Sequence, residues 1–194
     1  MSADLIPIWV ATISTAKAVD FGPGRKFFAK GVDKGLLICY TIVKKGDKKM
    51  RTIYFDMDGT IADLYGVDGW LDYIINNDAT PYEVAKPLVK LNVLARLLNK
   101  LQKEGFKIGI ISWLAKNSNE NYDNLVTNAK LNWLSDHLAS VVFDEIHIVP
   151  YGTPKENFSN GFDILFDDEI QNRENWIGSA FSENSIMETL KSLS

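Results

Sequence analysis

The chain has 194 residues, of which 46% are hydrophobic, 24% charged and 11% aromatic, and its net charge is −4. That length fits one domain of ordinary size with room for a small appendage, and the composition is that of a soluble globular protein, which excludes a disordered chain. No run approaches the roughly 18 consecutive apolar residues of a membrane span, and the single cysteine, Cys39, excludes an intramolecular disulfide and points to a reducing, cytoplasmic setting.

Charge is unevenly spread. Residues 1–49 carry nine Lys/Arg and four Asp/Glu, a balance of +5, which leaves −9 for the remainder. The opening segment, "LIPIWVATISTAKA", pairs an apolar run with the small-residue pattern Ala16-Lys17-Ala18, but the residues before it carry Asp4 and no Lys or Arg, opposite to a signal peptide. Next, "LIPIWVATI" and "GLLICYTIV" are rich in β-branched and aromatic residues and are separated by turn-forming "GPG" and "KGVDKG", so a small β-rich module is expected over residues 1–49. Its "FGPGRKFFAK" interleaves aromatic and basic residues, which admits a nucleic-acid partner; solvation of an exposed hairpin explains the same pattern more simply. A charged run, "KKGDKKM", then separates this module from a second unit, residues 50–194, that starts with its own methionine, Met50.

From residue 51 short apolar runs, "TIYFD", "KIGIIS", "EIHIV" and "DILFDD", alternate with helical stretches. Leu88, Leu91, Leu94, Leu98 and Leu101 recur at intervals of three and four, which predicts a helix through "PLVKLNVLARLLNKLQKEG" that stops at Gly105. A second helix is expected through "NYDNLVTNAKLNWLSDHL", with shorter ones after Glu169 and Asn184. Strands alternating with helices imply an α/β, Rossmann-like parallel sheet with helices on both faces, and ligands bind such sheets beyond the carboxyl ends of the strands. Three of the four runs end in Asp56, Ser112 and the pair Asp167-Asp168, so one site is expected there.

Each of these residues has a part in phosphoryl transfer. Asp56, as an ordinary carboxylate, is ionised at neutral pH and can act as a nucleophile. Asp58 lies two positions on, so in an extended chain its side chain points the same way and can protonate a leaving oxygen and later deprotonate water. Gly59 permits a sharp turn and Thr60 offers a hydroxyl to secure it. An anionic nucleophile meeting an anionic phosphate needs countercharge, which Lys155 and a hard cation such as Mg²⁺ supply; the candidate ligands are Asp56, Asp58, Asp167 and Asp168. Ser112 adds a hydroxyl donor for a phosphate oxygen. His137 and His147 read as surface histidines rather than metal ligands.

"DMDGT", the strand ending in Ser112, the downstream Lys155 and the acidic pair after "ILF" resemble, in order, the four motifs of the haloacid dehalogenase-like (HAD) hydrolase superfamily, over residues 51–194. The resemblance implies the HAD fold, with Asp56 as nucleophile and Asp58 as the carboxylate that marks phosphatases and phosphotransferases. It also implies that Asp167 contacts the metal while Asp168 orients a metal-bound water or Lys155. Glu169 reads as a helix-start residue.

Only 56 positions separate Asp56 from Ser112, and 43 separate Ser112 from Lys155, so a minimal cap is expected. Either the site is open to a bulky substrate or "LYGVDGWLDYIINNDATPYE", with Tyr65, Trp70 and Tyr73, forms a small lid. Trp113, directly after the motif serine, either stacks on a nucleobase or packs in the core. "DMDGTIAD" and "ILFDDEIQNRENW" are similar to the type C 5′-nucleotidases and deoxyribonucleotidases, which share an Asp at the place of Asp63 and an acidic pair followed by Trp; Thr60, where that group tends to have Val, is a departure. The leading expectation is a Mg²⁺-dependent phosphomonoesterase acting on nucleoside 5′-monophosphates. The alternatives are a phosphatase of nucleic-acid ends or phosphoproteins, served by residues 1–49, and a binding or regulatory protein without turnover, which would have no need of Asp58.

Overall fold

The computed structural model describes residues 51–194; the β-rich module expected over residues 1–49, with Cys39 and the "FGPGRKFFAK" stretch, lies outside the described residues. Five strands form one parallel sheet: β1 (Thr52–Phe55), β4 (Lys107–Trp113), β5 (Glu145–Val149), β6 (Ile164–Phe166) and β7 (Ser179–Phe181), in the order β5-β4-β1-β6-β7. The remaining two strands, β2 (Ala62–Asp63) and β3 (Lys86–Pro87), pair antiparallel in a separate flap. The four sheet strands expected from the apolar runs are all present, and β7, whose three residues are too few to show a period, is the addition.

Strand β1 is central and buried along its whole length, as a strand covered on both faces must be. Alternation sorts its side chains. Ile53 and Phe55 join Ile108, Ile110, Ile164 and Phe166 on one face, where they meet leucines of α3 (Leu91–Lys103), Trp133 and Leu134 of α4 (Glu120–His137), and Ile186 and Leu190 of α6 (Ile186–Leu193). Tyr54, Ile111 and Leu165 point to the other face, covered by Trp176 at the end of α5 (Ile170–Asn175) and by Phe158 of a 3-10 turn (Lys155–Phe158). Leu94, Leu98 and Leu101 form the buried stripe of α3, each burial contributing about 1.5–3 kcal/mol. The helix ends as expected at Gly105, where φ is +95° and the following Phe106 amide donates back to the Leu101 carbonyl at 3.0 Å.

Leu88 departs from the expected stripe. Lys86 and Pro87 pair with Asp63 and Ala62, and the Leu88 amide donates to the Ile61 carbonyl at 3.0 Å, so the chain stays extended here and Leu88 is left exposed. Helix α3 begins three residues later. Between β2 and β3 lie two short helices, α1 (Trp70–Ile75) and α2 (Thr80–Val84), and with the flap they form the minimal cap. Helix α1 has no buried residue, whereas α2 packs Tyr82 and Pro81 inward against α4. Among the described residues no helix is long and apolar enough to cross a membrane.

Gly109 in β4 stands opposite Tyr54 of β1, and the tyrosine ring lies across it: a Cβ at Gly109 would come within 2.5 Å of ring atoms Cδ1 and Cε1. The ring cannot swing away freely, because its hydroxyl donates to Glu145 Oε2 at 2.6 Å and its edge packs against Trp176 at 5.8 Å between centroids. Burial and the neighbouring Glu145 carboxylate hold the Tyr54 hydroxyl protonated well past its usual range. Gly109→Ala is therefore expected to destabilise the domain by about 1–3 kcal/mol through overpacking, read as a lower urea midpoint with an unchanged slope.

Candidate active site

The three motif strands are immediate neighbours, β4 beside β1 beside β6, so parallel pairing brings their carboxyl ends to one edge of the sheet. The ladder continues past β1, with the Asp56 amide donating to the Phe166 carbonyl at 2.9 Å, so Asp56 and the Asp167-Asp168 pair emerge side by side. The chain then turns sharply. The Met57 carbonyl accepts from the amides of Thr60, Ile61 and Ala62 at 2.9–3.2 Å, and Gly59 adopts φ +76°. Gly59 is also the only residue type with room: a Cβ there would lie 2.5 Å from Asp168 Oδ2 and 2.7 Å from the Tyr65 ring.

Asp56, Asp167 and Asp168 form one cluster, in which one carboxylate oxygen from each lies within 4.8 Å of the others. Lys155, 1% exposed, bridges two of them, with Nζ 2.8 Å from Asp56 Oδ1 and 2.7 Å from Asp167 Oδ2. Asp167 is fully buried and further held by the Glu169 amide at 2.9 Å and by Asn172 Nδ2 at 3.2 Å from each oxygen. Asp168 accepts from the Thr60 hydroxyl at 3.1 Å, and the Asp168 amide donates back to that hydroxyl at 3.0 Å. Arg173 secures the backbone of the pair, its Nη1 donating to both carbonyls at 2.7 and 2.6 Å.

The contacts of three expected residues bear on their roles. Lys155 bonds Asp167 rather than Asp168: Asp167 Oδ2 accepts from Nζ at 2.7 Å, whereas Asp168 Oδ1 accepts from the Thr60 hydroxyl in the turn after β1. Asp58 stands outside the carboxylate cluster: its Oδ2 takes an ion pair from Lys130 Nζ at 2.7 Å, so its side chain is engaged by a lysine rather than grouped with the candidate metal ligands.

Lys130 was not singled out by its motif context, and it is 1% exposed. Besides Asp58 it donates to Ser112 Oγ at 2.8 Å and to the Trp113 carbonyl at 2.6 Å. The sequence does hold a clue: Val126, Lys130 and Leu134 recur every four residues on the buried stripe of α4, and a lysine on such a stripe must be paired. Asn172 and Arg173 were likewise visible only as ordinary polar residues of a short helix.

Electrostatics follow the crowding. Burial first, then Asp56 and Asp167, push the Asp168 carboxyl up to about 7. Burial and Asp56 also raise Asp167 and Asp58, against the opposing pull of Lys155 and Lys130 respectively. Burial pulls Lys155 down, but Asp56 and Asp167 outweigh it, so the ammonium is held charged. Four carboxylates facing two lysines leave two negative charges in the formal count, and that balance is what a divalent cation offsets.

Around this centre stand aromatic side chains. Trp113 is pinned, its Nε1 donating to the Thr153 carbonyl at 2.8 Å, its ring 5.0 Å from Lys155 Nζ and tilted against half-exposed Tyr151 at 5.1 Å. From the lid, Tyr65 packs edge-on against Trp70 at 5.1 Å with its ring beside the Gly59 turn, and burial together with Asp168, Asp58 and Asp56 raises its hydroxyl. Tyr73 is exposed on α1, and the two histidines make other contacts: His137 stacks on Trp133, and His147 contacts Glu145.

No family model and no curated protein matches the sequence. Among solved structures the chain is similar to D,D-heptose 1,7-bisphosphate phosphatase from Burkholderia thailandensis, at 10% identity and TM-score 0.45 over 73% of this chain and 97% of that one. It is similar too to the enzyme of that name from B. bronchiseptica, complexed with magnesium and phosphate, at 10% identity and TM-score 0.43 over 74% and 98%. At this level of likeness the functional reading rests on the site itself.

Asn172 Nδ2 donates toward both Asp167 oxygens, and Asn172→Asp would replace that donor with a further negative charge beside Asp167. That variant is expected to lose about 2–3 kcal/mol at pH 8 and to recover part of the loss near pH 5, where one carboxylate of the pair takes up a proton; thermal melts at the two pH values check it.

Proposed function

We propose that residues 51–194 form a divalent-cation-dependent phosphomonoesterase in which Asp56 attacks phosphorus. The observation that carries this reading is the arrangement around Asp56: one oxygen held by Lys155 at 2.8 Å, with Asp167 and Asp168 clustered beside it at the carboxyl edge of a parallel sheet. Among the described residues Oδ2 of Asp56 accepts no hydrogen bond, which leaves it as the attacking atom.

The donor set fits a hard cation: three carboxylates in one cluster, buried or half-buried, with surplus negative charge. Asp56, Asp168 and Asp167 would supply the oxygens for Mg²⁺, which would offset the charge of an incoming phosphate. The chain does the rest. Lys155 fixes the nucleophile and adds positive charge beside the transferred group. Ser112 donates its hydroxyl to a phosphate oxygen, and Asp58 protonates the departing oxygen. Water then attacks phosphorus of the aspartyl phosphate while the Asp58 carboxylate takes its proton; the bond from phosphorus to the Asp56 oxygen breaks, inorganic phosphate leaves, and Asp56 returns to a carboxylate and Asp58 to its protonated form.

Within this class the reading extends to nucleoside 5′-monophosphates. Support comes from the aromatic groups beside the site: the pinned Trp113 ring with Tyr151 on one side and Tyr65 with Trp70 on the lid side offer flat faces for a base, each stack contributing about 1–3 kcal/mol.

Three outcomes test the proposal. Asp56→Asn is expected to lose more than about 1,000-fold in turnover, while its melting temperature holds, because removing one of three crowded carboxylates relieves repulsion and leaves the Lys155–Asp167 pair intact. Hydrolysis by the wild-type chain should vanish in EDTA and return with Mg²⁺. In a panel of nucleotides, sugar phosphates, phosphopeptides and 3′-phosphorylated oligonucleotides, the nucleoside monophosphates are expected to give the highest kcat/KM, and equal rates across the panel would contradict the base-stacking reading.

A further inference from the structure

A lysine ammonium has three protons, and Lys130 spends each on a different acceptor: Asp58 Oδ2 at 2.7 Å, Ser112 Oγ at 2.8 Å and the Trp113 carbonyl at 2.6 Å. None is left for a ligand. The Tyr82 ring of α2, 5.1 Å from Nζ, covers the group further, and Lys130 is 1% exposed. A second lysine at a phosphate site would ordinarily read as an anion clamp; this one cannot act so without breaking bonds it already makes.

Its partners show what it does instead. Ser112 is fully buried, and because its oxygen accepts from Lys130, its own proton must point away from the lysine. Among the described residues that hydroxyl donates to no protein acceptor, so a buried proton is left aimed for use. Asp58 likewise has one oxygen tied and the other untied. A single cation on α4 thus sets the direction of the hydroxyl at the end of β4 and of the carboxylate in the turn after β1, two groups on different elements that must address the same substrate.

We propose that Lys130 is a positioning residue: it touches no substrate, and it holds Ser112 as a hydroxyl donor and Asp58 in the orientation for proton transfer. This rests on the phosphomonoesterase reading. It predicts a signature different from that of a phosphate-binding lysine. Losing a clamp weakens substrate binding and raises KM, whereas losing a positioning group lowers turnover and leaves KM nearly unchanged. It also predicts that Lys130 and Ser112 act as one unit, so their effects do not simply combine.

The experiment uses the full chain with Mg²⁺, p-nitrophenyl phosphate as probe, and the variants Lys130→Met, Lys130→Gln, Ser112→Ala and Lys130→Met with Ser112→Ala, each checked for folding by circular dichroism. Lys130→Met is expected to reduce kcat about 100-fold with KM within about threefold of wild type. In the double variant the loss should fall short of the product of the single losses by at least about tenfold. Lys130→Gln, whose amide keeps part of the donor set, should recover part of the rate. As a readout independent of turnover, the lysine ammonium protons in a ¹⁵N NMR spectrum should include a slowly exchanging Lys130 signal that shifts in Ser112→Ala. A kcat within threefold of wild type, a KM rise at constant kcat, losses that multiply, or a chain that folds with neither substitution would each overturn the assignment. Absence of turnover in the wild-type chain on every ester tried would remove the phosphomonoesterase reading itself, and the positioning role with it, and is distinguished by being seen before any substitution is made.

Discussion

The bridge from Lys155 to Asp56 and Asp167 is the interaction on which the site depends. It joins the end of β1 to the end of β6 through a side chain from the 3-10 turn, with bonds of 2.8 and 2.7 Å in a place that water barely reaches. Without it two buried carboxylates would face each other unpaired, at a cost of several kcal/mol. With it they are bridged and held close, yet a deficit of positive charge persists. A scaffold that keeps three acidic groups together against their repulsion carries the surplus negative charge on which the proposed cation site rests.

The sheet makes that possible by geometry alone. Parallel strands in the order β4-β1-β6 deliver three chain ends to one edge, and after β1 the chain turns back at Gly59. The buried faces beneath, built from Ile53, Phe55, Ile108, Ile110, Ile164 and Phe166, hold the strand ends in register, so the polar groups at the edge inherit their precision from an apolar core. The lid is attached differently. Helix α2 docks on α4 through Tyr82, whereas α1 exposes Leu71 and Ile75 and packs only Ile74 against the same cluster as Tyr82.

Much of this was legible from residue order. Apolar runs ending in Asp56, Ser112 and Asp167 declared a parallel sheet with a site at one edge, because β-strands buried on both faces are continuous in hydrophobicity and a carboxylate at their end has no structural reason to be there. Leu94, Leu98 and Leu101 declared α3. What escaped had physical reasons. Leu88 kept the helical interval by coincidence, and a two-residue strand pairing across the flap overrode it. Lys130 lies 18 residues from Ser112 and 72 from Asp58, and only folding brings α4 across the site to meet them. That Lys155 bonds Asp167 while Thr60 bonds Asp168 turns on which way each side chain leaves the strand end, and adjacent residues in a chain carry no mark of that.

Calorimetric titration of Mg²⁺ into the wild-type chain and into Asp58→Asn tests the central claim most directly. The account predicts one binding site in the wild type, retained within a few-fold in Asp58→Asn, because the Asp58 side chain faces Lys130 and stands outside the cluster of Asp56, Asp167 and Asp168. No binding to the wild type, or binding abolished by that single substitution, would contradict it.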